Sequence, residues 1–127
     1  MLRNFTTSPA CRLLQAALVA ASLGAGAAPA RAGPAADAEQ GRRLIEQYQC
    51  GRCHAIPGVA AARGRLAVPL ASFGARSYIA GRLPNTRETL VRWIVDPPSL
   101  VPGTLMPNLG VSPDEARRMA AYLARLR

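Results

Sequence analysis

Residues 50–54 read Cys-Gly-Arg-Cys-His, and this stretch decides how the rest of the 127-residue chain is interpreted. It contains the only histidine of the chain and two of its three cysteines. Residues three apart on a helical turn lie on one face, so both sulfur atoms can reach the same edge of a ligand while the imidazole of His54 turns beside them. The stretch therefore gathers two nucleophilic thiols and a metal-binding ring.

This spacing is the pattern of covalent haem attachment, in which the two thiols add to the vinyl groups and the histidine binds the iron. It predicts Cys50, Cys53 and His54 as cofactor-binding residues. Three alternatives stay open: a redox-active dithiol, a structural zinc site and a chance grouping. The dithiol lacks a preceding strand and a βαβ pattern. A zinc site needs four ligands and would have to borrow a carboxylate.

A methionine is the expected second ligand of the iron. Met119 lies on the apolar stripe of a predicted helix, where packing in the core is its expected role. Met106 lies in Val101–Pro107 (VPGTLMP), where two prolines and a glycine fix an extended loop. Met106 is therefore the predicted ligand opposite His54, and a buried loop methionine is the alternative. A thioether opposite a histidine favours ferrous iron and suits electron transfer.

Residues 1–32 have the pattern of a signal peptide. The uncharged apolar run Leu13–Ala28 precedes two Ala-x-Ala sites, which predict cleavage after Ala30 or Ala32. The remaining domain, residues 33–127, is expected to be periplasmic or otherwise exported. An uncleaved membrane anchor is the alternative, although a run of 16 residues is shorter than the roughly 20 of a spanning helix.

The charge of this domain limits its partners. All 16 basic residues of the chain are arginines, and without Arg3, Arg12 and Arg31 there remain 13 against 7 acidic residues, a balance of about +6. Such a surface predicts partner proteins with acidic docking faces, or loose association with anionic lipid headgroups, and fast, salt-sensitive binding. No nucleic acid is expected, because the arginines are dispersed and no aromatic residues alternate with them.

Helical signals predict an all-α domain with three main helices. The first is expected to open at Asp37, which has Gln40 three residues later in a capping-box pattern. The second is expected to begin at Asn85 or Thr86 and to stop near Asp96, before two prolines. The expected buried residues of these helices are Gly41, Leu44, Ile45, Tyr48, Leu90, Trp93 and Ile94.

The last helix has the clearest start, with Ser112 as its cap, Pro113 at its first position and Glu115 three residues after the cap. Its predicted buried stripe is Ala116, Met119, Ala120, Leu123 and Leu126. Residues 55–84 and 97–110 show neither a helical nor a strand period. Long loops in a compact domain are usually functional. A large apolar ligand that contacts both segments would explain why they are so long.

Taken in order, these motifs resemble the class I c-type cytochromes, and especially the bacterial cytochrome c domains found alone or fused to oxidase subunit II. The resemblance covers residues 39–126. It implies a small cytochrome c fold in which the first and last helices cross and long loops wrap round one covalently bound haem c with its iron. The motifs are Gly41, Cys50–His54, Leu70–Arg76 (LASFGAR), Asn85, Trp93, Pro102–Pro107 (PGTLMP) and Tyr122–Leu123.

The resemblance also implies roles for two further cofactor-binding residues. Arg76 should donate a hydrogen bond to a haem propionate, and Trp93 should pack on the haem or reach a propionate. A solvated arginine and an ordinary core tryptophan are the alternatives. The family has Gly-Pro where this chain has Ala67-Val68, and the proline carbonyl of the family orients the ligand histidine. The carbonyl of Val68 is expected to orient His54 instead.

The expected function is that of an exported monohaem electron carrier. It would shuttle single electrons from a respiratory dehydrogenase or bc1-type complex to an oxidase, with His54 and Met106 as the metal ligands. A fixed haem subunit of such a membrane complex is the alternative. The chain is not expected to be an enzyme or a gas sensor, because it has no second histidine to act as a distal acid or base.

Overall fold

The structure is a computed structural model, and it describes residues 33–127. The predicted signal peptide and its cleavage sites lie outside the described residues. The helices of the described chain are α1 (Pro34–Gln47), α2 (Arg87–Val95), α3 (Pro97–Leu100) and α4 (Pro113–Leu123). Within residues 33–127 no helix is long and apolar enough to cross a membrane.

The long segment between α1 and α2 contains short elements that the sequence pattern did not predict. Two 3₁₀ turns lie at Cys50–Arg52 and Phe73–Ala75. Strands β1 (Tyr78–Ile79) and β2 (Leu83–Pro84) form an antiparallel pair, with Tyr78 opposite Pro84 and Ile79 opposite Leu83. Strands of two residues are too short to show the alternation that reveals a strand in a sequence.

Helix α1 begins earlier than predicted. Gly33 is its N-cap and Pro34 its first residue, and the backbone N–H of Asp37 donates to the carbonyl of Gly33 at 3.0 Å. Asp37 therefore lies inside the first turn, and its predicted capping role with Gln40 is wrong. Proline starts the helix because its fixed φ is already helical and its missing N–H is not needed there.

The predicted caps of the second and last helices are confirmed. The side chain of Thr86 accepts a hydrogen bond from the backbone N–H of Thr89 at 3.2 Å, and α2 ends before Pro97. At the start of α4, the Glu115 carboxylate accepts from the backbone N–H of Ser112 at 3.0 Å, and Ser112 caps the N–H of Glu115 in return. Helix α4 ends before Leu126, which is half-buried against the core.

The most extensive contact between elements is that of α1 with α4. Gly41 makes this contact possible, because a Cβ atom at this position would overlap the backbone carbonyl of Arg118. On the same face of α1, Leu44 and Ile45 are buried as predicted. The two helices therefore pack at backbone distance where they meet.

One apolar core joins the helices and the loops. It includes residues of every helix except α3, together with Ile56, Val59 and Phe73 from the long segment after α1. Among the described residues, no buried side-chain nitrogen or oxygen lacks a hydrogen-bond partner. The core is completed by Leu44, Ile45, Ala62, Ile79, Leu90, Trp93, Ile94, Val111, Ala116, Met119, Ala120 and Leu123.

Replacement of Gly41 by alanine tests the close packing of α1 against α4. The added methyl group meets backbone atoms that cannot rotate away, so we expect Gly41→Ala to lower the free energy of unfolding by about 1–3 kcal/mol despite its better helix propensity. The control is Gln40→Ala, an exposed neighbour on the same helix, which should change stability by less than about 0.5 kcal/mol. Guanidinium unfolding of both variants measures this, and equal stabilities would contradict the proposed packing.

Candidate functional site

The Cys50–His54 turn leaves α1 through a sharp reversal. Gln49 adopts a left-handed conformation with φ of 54°, and the backbone N–H of His54 then donates to the carbonyl of Cys50 at 3.1 Å. Neither thiol forms a disulfide with another described residue. Cys50 is half-buried against the core, and burial raises the pKa of its thiol, whereas Cys53 is exposed.

The loop after His54 returns and lies directly against this turn. The backbone N–H of Gly64 donates to Gly51 at 2.9 Å, and that of Ala67 donates to Cys53 at 3.0 Å. A Cβ atom on Gly51 would overlap the backbone of Ala62, and one on Gly64 would overlap the backbone of Cys53. Glycine is therefore needed at both positions, because the two backbone segments lie too close together for a Cβ atom. The Cys50–His54 turn is stabilised by hydrogen bonds from the following loop as well as by its own hydrogen bonds.

The imidazole of His54 is oriented by the same loop. Its Nδ1 atom lies 2.7 Å from the carbonyl oxygen of Val68. Because a carbonyl can only accept a hydrogen bond, Nδ1 carries the hydrogen, and the lone pair of the neutral ring is on Nε2. The predicted hydrogen bond between His54 and the carbonyl of Val68 is confirmed.

Met106 lies on a separate loop, between α3 and α4. The backbone N–H of Met106 donates to the hydroxyl oxygen of Thr104 at 3.3 Å, and Asn108 donates to the carboxylate of Asp96 at 3.3 Å. Met106 is half-buried and packs against the core, whereas Met119 is 1% exposed within it. Among the described residues, no hydrogen bond joins this loop to the Cys50–His54 turn.

Arg76 and Trp93 lie in ordered positions. Arg76 donates through Nη2 to the carbonyls of Pro69 and Ala71, the latter at 3.0 Å, and its guanidinium lies 5.6 Å from the ring centroid of Phe73. It is thus tied to the loop that follows His54. Trp93 is 7% exposed and belongs to the core. Their roles at a propionate stay predictions.

Asn85 has a structural role that its sequence context does not reveal. Its side-chain Nδ2 donates to the carbonyls of Phe73 at 3.1 Å and Arg76 at 3.0 Å, and its backbone N–H donates to Ser77 at 2.9 Å. It therefore fixes the loop that carries Arg76. No local pattern could reveal these partners, because both side-chain acceptors are backbone groups about ten residues away.

The residues present fit a covalently bound haem. Two thiols, an oriented imidazole and a thioether on a second loop are the groups that such a cofactor requires. Large apolar side chains on the same two loops face solvent, with Leu66 84%, Val68 63% and Leu105 98% exposed. Within residues 33–127, no group of three or more His, Cys, Asp or Glu side chains could hold a metal ion, so a structural zinc site lacks its ligand set there.

Curated proteins similar to the chain are named cytochrome c oxidase subunit 2. That of Alkalihalophilus pseudofirmus is 40% identical over 91 residues, which are 71% of this chain and 26% of the relative. That of Bacillus subtilis is 33% identical over 94 residues, with shares of 71% and 26%. The chain thus spans about a quarter of the length of these curated relatives. No family model and no solved structure matches.

These names support the cytochrome resemblance in part, because the relatives are named as subunits of a cytochrome oxidase. Assignment to the class I c-type cytochromes stays a prediction. The names also correct one expectation, which set the chain apart from enzymes. An oxidase is an enzyme, and the chain is related to proteins named as one of its subunits, so that expectation is wrong.

The two positions between the cysteines provide a matched test of the site. Gly51→Ala places a methyl group against the backbone of Ala62, so we expect it to lower the free energy of unfolding by about 1–3 kcal/mol. Arg52→Ala removes an exposed side chain and should change stability by less than about 0.5 kcal/mol. Guanidinium unfolding of the exported protein measures both. A larger effect of the Arg52 variant would overturn the described packing of the turn.

Proposed function

We propose that residues 33–127 bind one haem covalently and carry single electrons in respiratory electron transfer to a cytochrome c oxidase. The observation that carries this proposal is the hydrogen bond from Nδ1 of His54 to Val68, at 2.7 Å, in a turn that also presents two thiols. This bond leaves Nε2 as the only imidazole atom able to bind a metal. The names of the curated relatives support the same electron-transfer role.

Cys50 and Cys53 would hold the haem through thioether bonds, and His54 and Met106 would be the iron ligands. When bound, the haem supplies one-electron redox chemistry. The chain itself orients the imidazole through the Val68 carbonyl. Its exposed apolar side chains, such as Leu66 and Leu105, would be covered by the haem and would exclude water from it.

The acidic residues of the domain are unevenly distributed, whereas the arginines are dispersed. Between Glu46 and Glu88 the sequence contains six arginines and no acidic residue. The ion pairs found among residues 33–127 all lie on α1 or α4. The segment that carries the Cys50–His54 turn and its supporting loop therefore presents only positive charge, including the exposed Arg63 and Arg65.

This positive segment suits transient docking to an acidic partner protein. Opposite charges raise the rate of encounter, and salt weakens the attraction between exposed groups. Because the segment surrounds the turn that would hold the haem, docking there would bring the partner close to the redox group. We propose that the domain acts in this way as an exported carrier, and that the predicted signal peptide, residues 1–32, would direct its export.

A fixed haem subunit of an oxidase complex is the second candidate. It is favoured by the names of the relatives, which are components of an oxidase and about four times as long as the matched region. The two candidates differ in how tightly the protein binds the oxidase. Co-purification with an oxidase that survives high salt would support the subunit, whereas loss of association as salt rises would support the carrier.

Acid–acetone extraction tests covalent attachment. The full chain is exported by a host with haem-attachment machinery, and the wild-type protein should keep its haem after extraction, since thioether bonds resist acid. The Cys50→Ser/Cys53→Ser variant should lose it. The matched control is Cys11→Ser, which leaves the pair intact and should resist extraction. Haem that washes out of the wild-type protein, or colourless protein, would contradict the proposal and favour a dithiol.

Small redox reagents of opposite charge test the arginine segment. We expect the haem protein to react faster with anionic hexacyanoferrate than with a cationic ruthenium ammine, and the difference to shrink as salt rises. Arg63→Ser/Arg65→Ser should slow the anionic reaction about threefold at low salt. The control, Arg43→Ser/Arg117→Ser, removes equal charge from α1 and α4 and should have a smaller effect. Equal effects would show that only net charge matters.

A further inference from the structure

We propose that Tyr48 and Glu115 are a positioning pair that ties the Cys50–His54 turn to the loop of Met106. This inference rests on the proposed function, because it concerns how firmly the two predicted iron ligands are held relative to each other. Neither residue is among the predicted haem-binding residues. They would act through the two chain segments that carry the ligands.

Tyr48 lies where α1 ends, two residues before Cys50. Its backbone N–H closes the last turn of the helix by donating to the carbonyl of Leu44 at 2.8 Å. Its ring is half-buried against the core, and its hydroxyl group donates to Oε2 of Glu115 at 3.0 Å. The hydrogen bond joins residues that are 67 positions apart in the chain.

Glu115 holds the other end of this bridge. The same Oε2 atom accepts from the backbone N–H of Ser112 at 3.0 Å and from its hydroxyl group at 2.6 Å. These two hydrogen bonds, and then that of Tyr48, lower the pKa of Glu115, so the carboxylate remains ionised at neutral pH. One charged oxygen therefore accepts three donors, two of which come from the residue that ends the Met106 loop.

The bridge stands out among the hydrogen bonds of the Met106 loop. Within the described chain, the other hydrogen bonds of residues 101–112 run inside this segment, to α3 and its cap, or into the first turn of α4. Ser112 and Glu115 carry the connection onward to Tyr48, and Tyr48 leads directly into Cys50. The end of one ligand loop is thereby fixed to the start of the other.

Loss of this bridge should make opening of the Met106 loop easier. A hydrogen bond to a charged group is strong enough that its removal should raise the population of the open form about tenfold. An external ligand that competes with Met106 binds only the open form, so its apparent affinity rises with that population. Imidazole is such a ligand, and its binding can be followed by the loss of the thioether-to-iron absorption band.

The experiment is an imidazole titration of the exported, haem-loaded full chain in its oxidised form. We expect Tyr48→Phe, which keeps the ring and removes only the hydroxyl group, to bind imidazole about tenfold more tightly than the wild-type protein. Glu115→Gln removes the charge from the other partner and should shift the affinity in the same direction. This second variant keeps the proposal testable if Tyr48→Phe does not fold.

Two controls separate positioning from general stability. Tyr78→Phe removes an exposed phenol hydroxyl and should leave the affinity unchanged. Thr86→Ala removes the cap of α2 and lowers stability away from the bridge, so it should change imidazole affinity less than twofold or so. Wild-type affinity in both bridge variants, or an equal shift in Thr86→Ala, would overturn the positioning role. Wild-type protein without covalent haem would instead overturn the proposed function and this inference with it.

Discussion

The close approach of α1 to α4 is the constraint on which the rest of the structure depends. At Gly41 the absence of a side chain lets the helix backbone meet the carbonyl of Arg118, and a Cβ atom there would overlap that carbonyl. This contact brings the apolar faces of both helices into one core, to which α2 adds Leu90, Trp93 and Ile94. Because the long segments between the helices contain little regular structure, their positions are set largely by contact with this core.

The residues of the proposed haem site lie in these irregular segments. The backbone groups of a helix or a strand are occupied by its regular hydrogen bonds, whereas a loop has backbone carbonyls free to accept from side chains. In the loop after His54, the carbonyl of Val68 accepts from the His54 imidazole and orients it. Gly51 and Gly64 let the loop lie against the turn at backbone distance. The loops of His54 and Met106 both expose large apolar side chains, and in the proposed function the haem would cover them.

The sequence predicted the features that depend on neighbouring residues. Thr86 and Ser112 cap their helices because each side chain bonds a backbone N–H three residues away, and such spacings are visible in a sequence. The start of α1 was predicted wrongly because the sequence contains two local signals for a helix start. The helix begins at Pro34 and not at Asp37. The Tyr48–Glu115 bridge and the partners of Asn85 could not be predicted, since they join residues that only the folded core brings together.

In the proposed function, two loops anchored on one core hold a haem between His54 and Met106. A crystal structure of the exported protein tests it most directly. We expect one haem bonded to Cys50 and Cys53, with iron bound to Nε2 of His54 and to the sulfur of Met106. Nδ1 of His54 should still donate a hydrogen bond to the carbonyl of Val68. Iron bound by any other side chain opposite His54, or an ordered protein without haem, would contradict it.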